Sequence, residues 1–176
     1  RIIVETVGVG QSEHHVSQVV DLVVFLTMAG SGDSLQGIKR GILETVDLVA
    51  VNKADGNGLA AAKEHARELK GALELLRGKE APECVPTSAL SGLGIDVLSE
   101  LVDRLLHQRT DDGSLLERRS VQRRQWFEAA IVDHLQRRLQ ARPDWGTHHE
   151  ALLDKVVSGA TAPYAAAREL LDRLGL

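Results

Sequence analysis

The tetrapeptide Asn52-Lys53-Ala54-Asp55 is the segment whose residue types and spacing most clearly allow chemistry. It directly follows the apolar residues 48–51, which are typical of a buried strand. A carboxylate at the end of such a strand can accept hydrogen bonds from both N1–H and N2–H₂ of guanine, whereas adenine presents no matching pair of donors. The Asn side chain can brace the loop, and the Lys stem can lie along the base. The tetrapeptide therefore predicts guanine binding by Asn52, Lys53 and Asp55; the alternative is an ordinary polar turn.

A second candidate loop, Ser88-Ala89-Leu90, begins 36 residues after Asn52, behind the short predicted strand 84–87. Small residues at this position allow backbone N–H groups to approach the O6 atom of a guanine. The tripeptide is common, so the prediction depends on its place, one helix and one strand after the first loop. We expect Ser88, Ala89 and Leu90 to contribute to the same nucleotide site.

A third candidate segment, Glu5-Thr6-Val7-Gly8, ends the predicted strand 1–6. A carboxylate at a strand end can hold a water molecule on Mg²⁺, and a glycine three residues later can offer its N–H to a terminal phosphate because no Cβ interferes. Glu5 and Gly8 are therefore predicted as catalytic residues, with Glu5 as the metal contact. The alternative is an ordinary passage from a strand into a turn.

Alternating strand and helix patterns position these loops over residues 1–110. The predicted strands are residues 1–6, 21–28, 48–51 and 84–87, and the predicted helices are 12–19, 35–46, 59–76 and 95–107. The alternation is typical of an α/β fold, here a doubly wound and mostly parallel sheet, in which ligands bind at the carboxyl ends of the strands. Residues 111–176 contain no strand-like run and predict an all-helical region with helices at 115–140, 149–157 and 163–174.

Composition excludes several other classes of protein. The formal net charge of −4 argues against a nucleic-acid binder, and no apolar run reaches the roughly 18 residues that span a bilayer. A single cysteine, Cys84, excludes a disulfide framework and fits a cytoplasmic location. The pairs His14-His15 and His148-His149 do not predict a metal site, because adjacent helical residues point about 100° apart. We expect neither a nucleic-acid nor a membrane partner.

Three stretches resemble the methylmalonyl-CoA mutase-associated GTPases, which are also labelled ArgK or LAO/AO transport ATPases. They are ETVGVGQSE over residues 5–13, GSGDSLQGIKRG over 30–41 and VAVNKAD over 49–55. The resemblance implies a P-loop GTPase fold that binds GTP or GDP with Mg²⁺. It also implies switch residues, which are Val7, Gln11, Glu13, Asp33 and Lys39. Asp33 and Lys39 would link the nucleotide state to a partner mutase, with a helix cap and a solvated helix residue as their alternatives.

The sequence departs from the family pattern in two places. The phosphate-binding motif G-x-x-x-x-G-K-[ST], which lies upstream in the family, is absent, and the pair Gly78-Lys79 does not fit it. The chain therefore resembles the C-terminal part of a longer GTPase, and alone we expect it not to hydrolyse GTP at a useful rate. Gln11 does not directly follow the E-x-x-G segment, as a water-positioning glutamine would, and is predicted only as a switch residue.

The resemblance implies a GTP-hydrolysing chaperone of an adenosylcobalamin-dependent, methylmalonyl-CoA-type mutase that gates loading or protection of the cofactor. Two alternatives stay open, which are a non-catalytic half-domain with a dimerisation module and an arginine/ornithine transport-linked nucleotidase. The helical region predicts a homodimer, because helix 115–140 carries an apolar stripe. The residues of this stripe are Trp126, Phe127, Ile131, Leu135 and Leu139.

Overall fold

The computed structural model describes residues 1–6, 16–30 and 45–175. They form two compact units, Arg1–Arg123 and Arg124–Leu176. Most of the predicted helices 12–19 and 35–46 lie outside the described residues. So do six predicted site residues: Val7, Gly8, Gln11, Glu13, Asp33 and Lys39. The two-domain division after residue 110 stays a prediction.

A parallel sheet of three strands organises the first unit. The strands are β1 (Val24–Met28), β2 (Leu48–Asn52) and β3 (Glu83–Pro86), in the spatial order β1-β2-β3. The first four residues of the central strand β2 are buried, as expected for a strand covered on both faces. In the register, Met28 lies beside Asn52, and Val51 lies beside Pro86. The carboxyl ends of all three strands therefore meet at one edge of the sheet.

One helix packs on this sheet and, among the described residues, supplies four of the eight buried residues of the main hydrophobic cluster. Helix α1 (Leu59–Arg77) buries Ala62, Ala66, Leu69 and Leu73, whose spacing of three or four residues places them on one face. This face packs with Val49 and Val51 of β2 in the main hydrophobic cluster. Cys84 contacts the same cluster, and burial raises the pKa of its thiol to about 11. The thiol is therefore a protonated, small core group at neutral pH, as its position in a strand predicts.

The remaining elements are helical. They are α2 (Ile95–Asp111), α3 (Ser114–Gln140), α4 (Trp145–Val157) and α5 (Pro163–Arg173), with 3₁₀ turns at Gly56–Gly58 and Gly78–Glu80. The second unit has its own core around Leu152 and Leu170, against which Leu139 and Trp145 pack. The predicted α/β class is confirmed, with a parallel sheet followed by a helical region, and α1 to α5 lie within a few residues of their predicted bounds.

The predicted strand at 1–6 is wrong. These residues have no regular secondary structure, and Ile2 and Ile3 are 94% and 92% exposed. An apolar run favours burial, but a strand also needs a neighbour to satisfy its backbone hydrogen bonds. Among the described residues, β1 pairs only with β2, and residues 1–6 pair with no strand.

Candidate nucleotide-binding site

Two loops that leave the sheet at its carboxyl edge are joined through their backbones. One loop follows β2 and begins at Lys53, and the other follows β3 and begins at Thr87. The N–H of Thr87 donates to the carbonyl oxygen of Val51 at 2.8 Å, and the N–H of Ala54 donates to that of Thr87 at 2.9 Å. Thr87 and Ala54 are both buried, so these hydrogen bonds are shielded from water. The two loops therefore form one structural unit.

Side chains add a second layer of contacts between the same loops. The Ser88 hydroxyl donates to Oδ2 of Asp55, and the backbone N–H of Ala89 donates to Oδ1 of Asn52 at 3.2 Å. The Ser88 oxygen also accepts the N–H of Ser91 at 3.1 Å. The structure thus brings together four of the residues predicted for the base-binding site, Asn52, Asp55, Ser88 and Ala89.

The Asp55 carboxylate contacts the second loop rather than the turn that follows Asp55 in the first loop. Asp55 precedes the 3₁₀ turn Gly56–Gly58, but its carboxylate makes no capping hydrogen bond to that turn. The backbone closes the turn instead, because the N–H of Gly58 donates to the carbonyl oxygen of Asp55 at 2.8 Å. The carboxylate points toward the buried Ser88, and a carboxylate has about four acceptor positions. It can therefore accept further hydrogen bonds from a ligand.

Lys53 in the first loop and Leu90 in the second are both exposed. Lys53 has a φ of 61°, in the left-handed region that non-glycine residues adopt uncommonly. A residue held there depends on the surrounding structure to fix it. The side chains of Lys53 and Leu90 face solvent, where a flat ligand can reach them.

Glu5, the predicted metal contact, is not brought to these loops by any contact. It is exposed, lies in the irregular segment 1–6, and makes no hydrogen bond or ion pair within the described residues. In the same part of the chain, no three His, Cys, Asp or Glu side chains are grouped so that they could hold a metal ion. None of the helices among the described residues is both long enough and apolar enough to cross a bilayer.

Sequence reasoning missed three residues that shape the site, which are Thr87, Gly58 and Gly94. Thr87 was predicted as the last residue of a strand, although its N–H and carbonyl join the two loops. The sequence contains a turn signal around each glycine, Gly56-Asn57-Gly58 after Asp55 and Gly92-Leu93-Gly94 before α2. The backbone atoms that Gly58 and Gly94 approach could not be predicted from the sequence.

Comparison with known proteins identifies the family of the chain. The family described as methylmalonyl Co-A mutase-associated GTPase MeaB matches residues 1–144. The chain belongs to this MeaB family. The resemblance found in the sequence is thereby confirmed.

The chain is also similar to individual curated proteins. A probable GTPase of Mycobacterium tuberculosis is 39% identical over 174 residues, and the methylmalonic aciduria type A homolog of Mus musculus is 38% identical over 173. Each match covers 97% of this chain, but only 52% and 42% of the respective relative. The chain thus spans about half the length of these curated relatives.

A solved structure supports the fold. The crystal structure described as LAO/AO transport system kinase superposes with a TM-score of 0.72 at 29% identity. The match covers 97% of this chain and 56% of that one. The GTPase ArgK of Escherichia coli is 34% identical over 174 residues, 53% of its length. Both names agree with the labels of the MeaB family.

Proposed function

We propose that this chain supplies the guanine-recognition part of a GTP-binding and GTP-hydrolysing protein. The observation that carries the proposal is the hydrogen bond from the buried Ser88 hydroxyl to Asp55. It fixes one carboxylate oxygen from the protein side and leaves the remaining acceptor positions for N1–H and N2–H₂ of the base. An adenine would place an acceptor, N1, against the carboxylate, so the same geometry selects against ATP.

The neighbouring groups complete the recognition of the base. Asn52 binds the N–H of Ala89, so its side chain braces the second loop. The N–H of Leu90 has no hydrogen-bond partner within the described residues and is the donor that we assign to O6 of guanine. The stem of the exposed Lys53 can cover the face of the base. Recognition then depends on two loops that the backbone already holds together.

Hydrolysis is part of the proposal for a protein of the relatives' length. Phosphoryl transfer depends on groups that position and neutralise the phosphates, and the motif that does so in P-loop proteins is absent from this sequence. We therefore propose that the chain alone binds guanine without useful turnover. Mg²⁺ enters the proposal only through Glu5, which would hold one water molecule of the ion. Gly8 and the switch residues Val7, Gln11, Glu13, Asp33 and Lys39 keep their roles as part of the proposal.

The proposed cellular role is that of a chaperone for an adenosylcobalamin-dependent acyl-CoA mutase in the cytoplasm. The family description and the name of the mouse relative both refer to methylmalonyl metabolism, which supports a mutase as partner. The transport label of the solved neighbour supports the rival role in arginine or ornithine transport. The guanine-selective arrangement of Asp55 favours the first role over an ATP-driven transport kinase.

A homodimer is the proposed assembly, supported by the surface of α3. The side chains of Trp126, Phe127, Ile131 and Leu135 are exposed within the chain. Leu139, also predicted for this stripe, packs against the core of the second unit instead. A second copy of α3 would cover the four exposed side chains in an isologous interface.

Replacing Asp55 by Asn tests the guanine proposal, because the amide offers a donor where the carboxylate accepts. The chain and the Asp55→Asn variant are titrated with GMP, XMP and AMP up to millimolar concentration, with the amide NMR signals of residues 88–91 as the readout. We expect GMP to bind the variant about tenfold to a hundredfold more weakly than the wild type, and XMP to bind the variant more tightly. Asp96→Asn, on the exposed start of α2, is the matched control. Unchanged GMP affinity, or equal binding of AMP and GMP by the wild type, would contradict the proposal.

A further inference from the structure

Each of the two loops contains a glycine that lies against a backbone carbonyl. A Cβ added to Gly58 would lie 2.5 Å from the carbonyl oxygen of Lys53. A Cβ added to Gly94 would lie within 3.0 Å of the carbonyl oxygen of Pro86, a distance that real Cβ atoms essentially never show. In both cases the opposing atom belongs to the backbone, so no side chain can rotate away to make room.

Gly58 is needed for space rather than for backbone freedom. Its φ of −80° and ψ of −16° suit any residue. The carbonyl that it accommodates belongs to Lys53, the residue in the left-handed region. A side chain at position 58 would push this carbonyl and change the path of the loop between Asn52 and Asp55. The absence of a side chain at position 58 thus leaves the space that this conformation of Lys53 requires.

Gly94 leaves space for the carbonyl of Pro86, the residue that directly precedes the second loop. The Pro86 carbonyl that it accommodates belongs to the peptide bond between Pro86 and Thr87, and Thr87 is the residue that joins both loops. Ser88 lies between this contact and a closed turn, in which Ser88 N–H donates to Leu93 O and Gly92 N–H donates to Ser88 O, each at 2.9 Å. A shift of Pro86 would therefore move the hydroxyl that orients Asp55.

We propose that Gly58 and Gly94 are positioning residues that set the two base-binding loops in register, so that the Asp55 carboxylate meets both donors of a guanine. The inference rests on the proposed function for its ligand. It assigns base selectivity to two residues that would not touch the base. Removing the space at either glycine should therefore change which base is preferred, in addition to lowering affinity.

The chain offers a matched control for each position. Gly92 has a φ of +79°, close to the +71° of Gly94, but a Cβ there would meet nothing within 4 Å. Gly92→Ala therefore reproduces the backbone strain of Gly94→Ala without the collision. Gly71, inside α1, is likewise open, so Gly71→Ala is the control for Gly58→Ala. If Gly94→Ala does not fold, Gly58→Ala decides, because its backbone angles suit alanine.

The first measurement tests, without a ligand, whether the two loops stay joined. Amide hydrogen exchange of Ala54 and Thr87 reports the two hydrogen bonds that join them, because exchange requires these bonds to open. We expect Gly58→Ala and Gly94→Ala to speed exchange at both amides by about tenfold or more, while their controls do not. Equal exchange in each variant and its control would overturn the inference, even if guanine binding itself were confirmed.

The second measurement reads base selectivity, which loss of stability alone does not alter. IMP lacks the N2 amino group, so the ratio of GMP to IMP affinity reports whether Asp55 reaches both donors. We expect a ratio of about ten in the wild type and in both controls. It should approach one in Gly58→Ala and Gly94→Ala. A wild-type ratio of one would contradict the guanine proposal itself, whereas a ratio of ten retained in the glycine variants would overturn only this inference.

Discussion

Arg109 of α2 forms an ion pair with Asp47, the residue that immediately precedes β2. The same guanidinium donates to the backbone carbonyl of Asp21 at 2.7 Å, and the second Asp47 oxygen accepts the N–H of Val23 at 2.7 Å. The pair therefore joins α2 to the amino ends of β1 and β2. It lies at the opposite ends of these strands from the candidate site and fixes how the strands enter the sheet.

Removing Arg109 should destabilise the first unit strongly. The Asp47 side chain is only 7% exposed, so Arg109→Met would leave a buried carboxylate without its counter-charge. We expect the free energy of unfolding to fall by about 3 kcal/mol, measured by urea denaturation. Arg67→Met is the control, because Arg67 pairs with Glu64 on the surface and its loss should cost at most about 0.5 kcal/mol. Similar losses in the two variants would show that the Arg109 pair does not hold the strands.

Ser88→Ala should weaken guanine binding while leaving the fold intact. The variant removes the donor that orients Asp55 and the acceptor of the Ser91 N–H. We expect GMP affinity to fall by about tenfold, measured by NMR titration. Ser91→Ala is the control, because within residues 1–6, 16–30 and 45–175 the Ser91 hydroxyl makes one hydrogen bond, accepting the N–H of Leu93 at 3.4 Å. If both variants lose affinity equally, the Ser88 hydroxyl does not have the assigned role.

Residues at strand ends were predictable from the sequence, because the polar residue after an apolar run is a local signal. Asn52, Asp55 and Ser88 lie where that signal places them, and the parallel register brings them together. The contacts of Gly58 and Gly94 were not predictable, because they depend on the direction of carbonyls several residues away. The strand predicted at 1–6 failed for a related reason, since strand pairing is not encoded in an apolar run.

Asp21 should make part of the stability depend on pH. Arg119 on α3 binds both oxygens of this carboxylate, at 2.8 and 2.6 Å, and holds the pKa of Asp21 below its ordinary value of 3.8. A carboxyl group whose pKa is lower in the folded than in the unfolded chain stabilises the fold above about pH 4. This stabilisation is lost as the pH falls through the pKa of the folded chain. The contribution should stay below about 1 kcal/mol, because both side chains are partly exposed and water screens the pair.

The measurement compares wild type with Asp21→Asn in urea at pH 6 and at pH 2.5. We expect the variant to be less stable than the wild type at pH 6 and the difference to shrink at pH 2.5, as the pH falls toward the lowered pKa of Asp21 in the folded chain. Arg119→Met should reproduce the loss at pH 6. A difference of the same size at both pH values would show that the ion pair does not cause it.

The exposed face of α3 provides the test of the proposed homodimer. Phe127 and Ile131 are 64% and 40% exposed and lie one turn apart on the same side of the helix. Replacing both by Asp places four charges in a two-fold seam, two from each copy, and should convert the dimer to a monomer in sedimentation at micromolar concentration. Gln125→Asp with Gln136→Asp is the control, because these residues lie on the opposite side of α3 and add the same charge. The control should stay dimeric. A monomeric wild type, or a Phe127 and Ile131 double variant that stays dimeric, would show that this face does not join two copies.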